Sequence, residues 1–186
     1  MRWQGNVLIF GALMGSFRAP AQGTAQGVAS AGAARIPELH GTTFAGEKVE
    51  LPGALKGRAG VLVLGFSESA RTEVAGWGKR LASDPGGPAG LLYFELPMVE
   101  EVPRLLRGLV LKAIRKEVSG EGRRHFLPVE EHEAEWKQTV GFGKADDAYV
   151  LLVDGDGVVR ARMQGEVTPD GFSALQQKAG ELLRAK

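Results

Sequence analysis

The stretch Gly60 to Phe66 (GVLVLGF) is an unbroken apolar run with β-branched Val61 and Val63, the pattern of a strand covered on both faces. Beyond it Val74, Trp77 and Leu81 recur three to four residues apart, which predicts a helix over about Ala70 to Ala82 with that stripe buried. Ser67 or Ser69 is placed to cap this helix, and Glu73 lies in its first turn, where a carboxylate complements the dipole. Ser83 to Gly90 (SDPGGPAG) reads as a turn, and Leu91 to Leu96 (LLYFEL) as a second buried strand. Strand, helix and strand with a short return make a parallel, right-handed βαβ unit, and that commits the chain to an α/β sheet.

The flanking segments extend the unit. Gly41 to Leu51 (GTTFAGEKVEL) holds two short extended stretches around Ala45-Gly46-Glu47, a hairpin. Val102 to Val118 predicts a second helix with Leu106, Leu109, Val110, Ala113 and Ile114 on its buried side. Arg104, Arg107, Lys112, Arg115 and Lys116 fall in a solvent-facing arc of roughly 180°, with Leu105 and Leu111 at its margins. Arg123-Arg124-His125 continues the positive character, so Arg104 to Arg124 carries seven basic residues against Glu117 and Glu121. Glu130 to Trp136 (EEHEAEW) is an acidic helical turn or two, followed by the loop Gly141-Phe142-Gly143. Ala148 to Val153 and Val158 to Met163 flank Asp154-Gly155-Asp156-Gly157, a hairpin signal because glycine tolerates positive φ. Thr168 then caps a final helix from Pro169 to about Arg184.

Ahead of the folded part, Val7 to Phe17 is an apolar run too short to span a bilayer, preceded by Arg2 and followed by Ala19-Pro20-Ala21. This matches a secretory signal over residues 1–21, cleaved near Ala21. Residues 22–35 (QGTAQGVASAGAAR) are small and nearly uncharged, a tether. Residues 36–186 are the size of one domain. The chain is therefore expected outside the cytoplasm, periplasmic or extracellular, with membrane association if the segment is retained. A net charge of +1 offers nothing to nucleic acid.

The segments Gly41-Thr-Thr-Phe, Val49-Glu-Leu-Pro, Leu55-Lys-Gly and Gly60 to Ser67, with Val150-Leu-Leu-Val-Asp-Gly-Asp-Gly-Val-Val and Gly165, resemble the thioredoxin-like superfamily of bacterial exported thiol proteins and peroxiredoxins. The resemblance implies a central mixed β-sheet flanked by helices, with an N-terminal hairpin and an inserted helical segment in the middle. It also implies a C-x-x-C pair at the mouth of the first helix and a proline just before the strand Ala148 to Val153. Neither is present: the chain has no cysteine, Ser69 and Thr72 stand at the vacated thiol positions, and the loop reads Lys144-Ala145-Asp146-Asp147. Leu105-Leu106-Arg107-Gly108-Leu109-Val110, Ile114-Arg115-Lys116 and His125-Phe126 are similar to a mitochondrial assembly factor for the membrane sector of the proton-translocating ATP synthase, a family with bacterial relatives.

Without cysteine the chain has no thiolate for dithiol exchange. Ser69 or Thr72 as a nucleophile needs an adjacent base, and His40, His125 and His132 stand far apart in sequence with no motif around them, so a cap is expected there. Glu130-Glu131-His132-Glu133 holds metal-ligand types but reads as a solvated acidic face. Asp154-Gly155-Asp156-Gly157 lacks the later acidic ligand of a calcium loop. No cofactor is implied. These readings describe a redox-inactive, non-enzymatic exported module that binds a protein partner, a membrane protein or an anionic membrane surface through the basic residues Arg104, Arg107, Arg115, Lys116 and Arg124 or through the vacated cleft. The alternative is a thiol-independent hydrolase or peroxidase-like enzyme using the old cleft.

Overall fold

The structure, a computed structural model, describes residues 29–30, 34–84, 91–118 and 120–185. The expected signal 1–21, most of the tether and the turn at 85–90 lie outside the described residues. In chain order the elements are β1 (Ala29–Ser30), β2 (Leu39–Thr42), β3 (Lys48–Leu51), β4 (Ala59–Gly65), α1 (Arg71–Ala82), β5 (Leu91–Pro97), α2 (Arg104–Glu117), α3 (Glu133–Val140), β6 (Tyr149–Val153), β7 (Val159–Gln164) and α4 (Pro169–Arg184).

The five-stranded sheet has the order β1-β7-β6-β4-β5, and β2 with β3 forms a separate hairpin. Parallel pairing runs from Ala59 opposite Leu91 to Gly65 opposite Pro97, while β6 lies antiparallel on the other side of β4. The βαβ unit is thus as the apolar runs predict. Because strand side chains alternate, the central strands feed two cores. Val61, Val63, Val150 and Leu152 pack under α1 and α4 with Trp77 and Phe172. Leu62, Leu64, Tyr149 and Leu151 pack on the other face with Leu39, Leu51 and Trp136 of the hairpin and α3.

Pairing starts inside the stretch expected to be a tether: Ala29 lies opposite Arg162 and Ser30 opposite Ala161, and Arg35 donates to the Asp156 carbonyl at 2.6 Å. Main-chain pairing on a sheet edge needs no apolar side chain, so a composition poor in apolar residues does not prevent it.

At the other edge, residues 125–129 run beside β5. Glu95 N donates to the His125 carbonyl at 2.7 Å and Leu127 N to the Glu95 carbonyl at 2.9 Å. The inserted segment therefore begins and ends on β5, and α2 projects from that edge. The burial expected of α2 is corrected. No residue of the helix is buried; Leu105 is 95%, Leu106 51% and Leu109 65% exposed. The half-buried stripe is Arg107, Val110, Leu111 and Ile114. It turns inward because the body offers acceptors to Arg107, whose guanidinium donates to the carbonyls of Glu100 at 2.6 Å and Val102 at 3.3 Å.

Candidate functional site

The mouth of α1 collects the residues placed there by sequence. Ser69 and Thr72 are both exposed, in the turn before the helix and in its first turn. Neither is the cap. Ala70 stands at the N-cap with no side-chain bond, and it is Ser67 whose Oγ accepts from Ala70 N at 3.3 Å while donating to the Ala145 carbonyl at 2.9 Å. The early serine wins because it also bridges to the loop before β6. Among the described residues no imidazole or carboxylate hydrogen-bonds Ser69 or Thr72.

That loop is tied to α1 a second time. Ala148, just before β6, donates its amide to Glu73 Oε2 at 2.8 Å. The carboxylate in the first turn of α1 and the Ser67 hydroxyl therefore hold the loop across the helix mouth.

Beside the mouth, α1 and α2 enclose an apolar groove of about 420 Å³ lined by Phe66, Val74, Met98, Val99, Val110 and Ile114 among others. Its rim carries Arg71 and Glu117, paired at 2.8 Å across the two helices, with both side chains more than half exposed. The groove adjoins the expected vacated cleft, but its walls are not legible in local pattern, because they come from segments spread between Gly65 and Phe126.

The five residues expected to bind a partner do not form one basic face. Arg104, Arg115 and Lys116 are exposed. Arg107 is turned inward, its side chain 16% exposed and 3.6 Å from Glu130. Arg124 lies 3.5 Å from Glu47 of the hairpin turn. The acidic segment is also less solvated than expected. Glu133 is buried and paired with Lys137 at 2.9 Å, and the carboxylates of Glu101 and then Glu133 hold that ammonium above the usual lysine range. The three histidines stay apart: His40 is beside Glu50, His132 beside Glu135, and His125 stacks on Tyr93 at 3.8 Å between centroids.

One buried charge-bearing group escaped the sequence reading. Glu95, in the apolar run LLYFEL, is 5% exposed and points under α1, where Gly78 leaves the space its carboxyl fills. Burial pushes its pKa up to about 8, and burial together with the Glu95 charge pushes the Tyr93 hydroxyl up to about 12.

With sheet, hairpin, insertion and helix mouth in place, the molecule is a thioredoxin-like α/β domain. No family model and no curated protein matches the chain, whereas solved structures do. BsSco, of the Sco family of cytochrome c oxidase assembly proteins, superposes with a TM-score of 0.55 at 14% identity over 83% of this chain and 96% of its own. A structure assigned as the thiol:disulfide interchange protein DsbE of Chlorobium tepidum gives 0.54 at 14% over 84% and 99%. The exposed lipoprotein thioredoxin of Streptococcus pneumoniae gives 0.56 at 11% over 76% and 99%. These likenesses overturn the expectation that the domain is not an enzyme. Its fold is shared with thiol:disulfide interchange proteins. What differs is the chain itself, which has no cysteine.

The position of the vacated pair is testable. In a chain with no other cysteine, Ser69→Cys with Thr72→Cys places two thiols one helical turn apart at the mouth of α1, close enough to bridge. Oxidation is expected to remove both thiols from titration without forming dimers; two thiols that persist under oxidant would show that the pair does not sit at the mouth.

Proposed function

We propose that this protein is an exported thioredoxin-like module that binds a protein partner, seating an apolar segment of that partner in the groove between α1 and α2. It does so without thiol exchange of its own. In this reading residues 1–21 are the signal, 22–35 the approach to the sheet and 36–186 the body, which works close to a membrane. The observation that carries the proposal is the apolar groove at the helix mouth, open to solvent beside the vacated thiol positions. Arg71, on its rim, supplies a cation for an acidic flank of the partner, and Arg104, Arg115, Lys116 and Arg124 lie away from it on other faces. An assembly role is supported by the middle segment's similarity to the ATP synthase assembly factor and by the Sco family membership of BsSco.

The test is a photo-crosslinking residue at Ala113, on the groove flank of α2, against one at Gln177 on the exposed side of α4. A discrete adduct is expected from position 113, absent from 177 and lost when Val110→Asp charges the groove. Equal adducts at both positions, or an adduct indifferent to Val110→Asp, would refute the groove as the binding site.

A further inference from the structure

We infer that the outward face of α2 docks on an anionic lipid surface. This rests on the reading of the domain as exported and membrane-proximal, and it concerns a face of α2 other than the one lining the groove. Leu105 is 95% exposed and Leu109 65%; at 100° per residue they share the outer side of the helix with Lys112 and Lys116, opposite the half-buried stripe. Arg104 and Arg115 stand on the adjoining flank.

Charge identifies the occupant. The helix has five cations and a single acid, Glu117, and that acid is engaged with Arg71. Of the acids nearby, Glu130 and Glu101 are likewise engaged, with Arg107 and Lys137, and exposed Glu131 shares a pocket with Lys112 and Arg115 on the hairpin side. A second copy of this chain would bring like charges together. A single phosphate leaves the leucines unexplained. The complementary surface is anionic over an extended plane and apolar just behind it, so that leucines enter while the lysine stems bend their ammonium groups back to the headgroups.

The absence of cysteine makes a direct test available. In the full-length chain, Leu105→Cys is labelled with an environment-sensitive fluorophore, and Gln177→Cys on α4 serves as the control. The probes are phosphatidylcholine vesicles with and without phosphatidylglycerol. Emission at position 105 is expected to shift blue with the anionic vesicles, far less with the neutral ones, and not at all at 177. Lys112→Gln and Lys116→Gln are each expected to weaken anionic-vesicle binding by about fivefold, and Leu105→Ser with Leu109→Ser to abolish the preference. All four side chains are exposed, so the fold tolerates the changes. Sedimentation with vesicles while the label at 105 stays unmoved would overturn the inference, as would equal response to neutral and anionic lipid. A response at 105 to the protein cross-linked at Ala113 but not to vesicles would assign the face to that protein instead. In each of these cases the cross-link at Ala113 stands or falls separately.

Discussion

At pH 8, compared with pH 5, Glu95→Gln is expected to gain about 3 kcal/mol of stability relative to the unsubstituted protein. Glu95 lies under α1 at Gly78, opposite Val63 on the neighbouring strand, and burial raises its pKa from 4.5 to about 8. In the unfolded chain the group ionises near 4.5. Between those values the folded state binds more protons than the unfolded one, so stability falls as pH rises, at up to about 1.4 kcal/mol per pH unit. Glutamine keeps the volume and does not titrate. Urea unfolding of both proteins at pH 5 and pH 8 measures the effect. Parallel pH dependences would mean that Glu95 does not hold its proton in the folded state. Gly78→Ala tests the same packing from the other side. An added Cβ would run into the Glu95 carboxyl, so the substitution should destabilise by about 1–3 kcal/mol, and less in the Glu95→Ala background.

Asp154→Ala is expected to cost about 3 kcal/mol. Asp154 is 4% exposed. Its Oδ1 accepts from the amides of Asp156 and Val158, both at 2.9 Å, and its Oδ2 from Arg160 Nε at 2.7 Å and Nη2 at 2.6 Å. Burial raises the pKa of this carboxyl, but the bonds from Val158, Arg160 and Asp156 outweigh it and the net direction is down. Its contribution is therefore present above the ordinary carboxylate range and lost as pH falls through the depressed folded value. The aspartate that opens the Asp-Gly-Asp-Gly run is the acceptor that holds the β6–β7 turn. Thermal unfolding of Asp154→Ala and Asp154→Asn, read at neutral pH and in acid, checks this; a neutral-pH loss below about 1 kcal/mol for Asp154→Ala would remove the carboxylate from the account of the turn.

Much of the architecture is legible in local pattern. Buried strands β4 and β6 are continuous apolar runs because both their faces are covered. The stripe Val74, Trp77 and Leu81 is buried as its spacing requires, with Trp77 Nε1 donating to the Gly165 carbonyl at 2.9 Å. Thr168 Oγ1 caps α4 by accepting from Gly171 N at 3.1 Å. Each of these depends on residues close in sequence or on one alternation rule, and the missing cysteines are a fact of composition alone.

The helix α2 shows where local pattern ends. Its periodicity specifies a helix with an apolar and a basic side, but which side meets the body is decided by acceptors five and seven residues upstream and by Glu130. Those draw Arg107 inward and leave Leu105 and Leu109 outside. The serine that binds at the α1 mouth is likewise chosen by a loop 78 residues away, and the protonated state of Glu95 by a helix packed over it. From the sequence alone follow the α/β class, the central strands and helices, and the lack of a thiolate, because those rest on periodicity and composition. Only the tertiary structure decides the groove, the orientation of α2 and the buried carboxyl, because each rests on contacts outside the helix or strand that carries it, where burial and hydrogen bonding, not propensity, set the outcome.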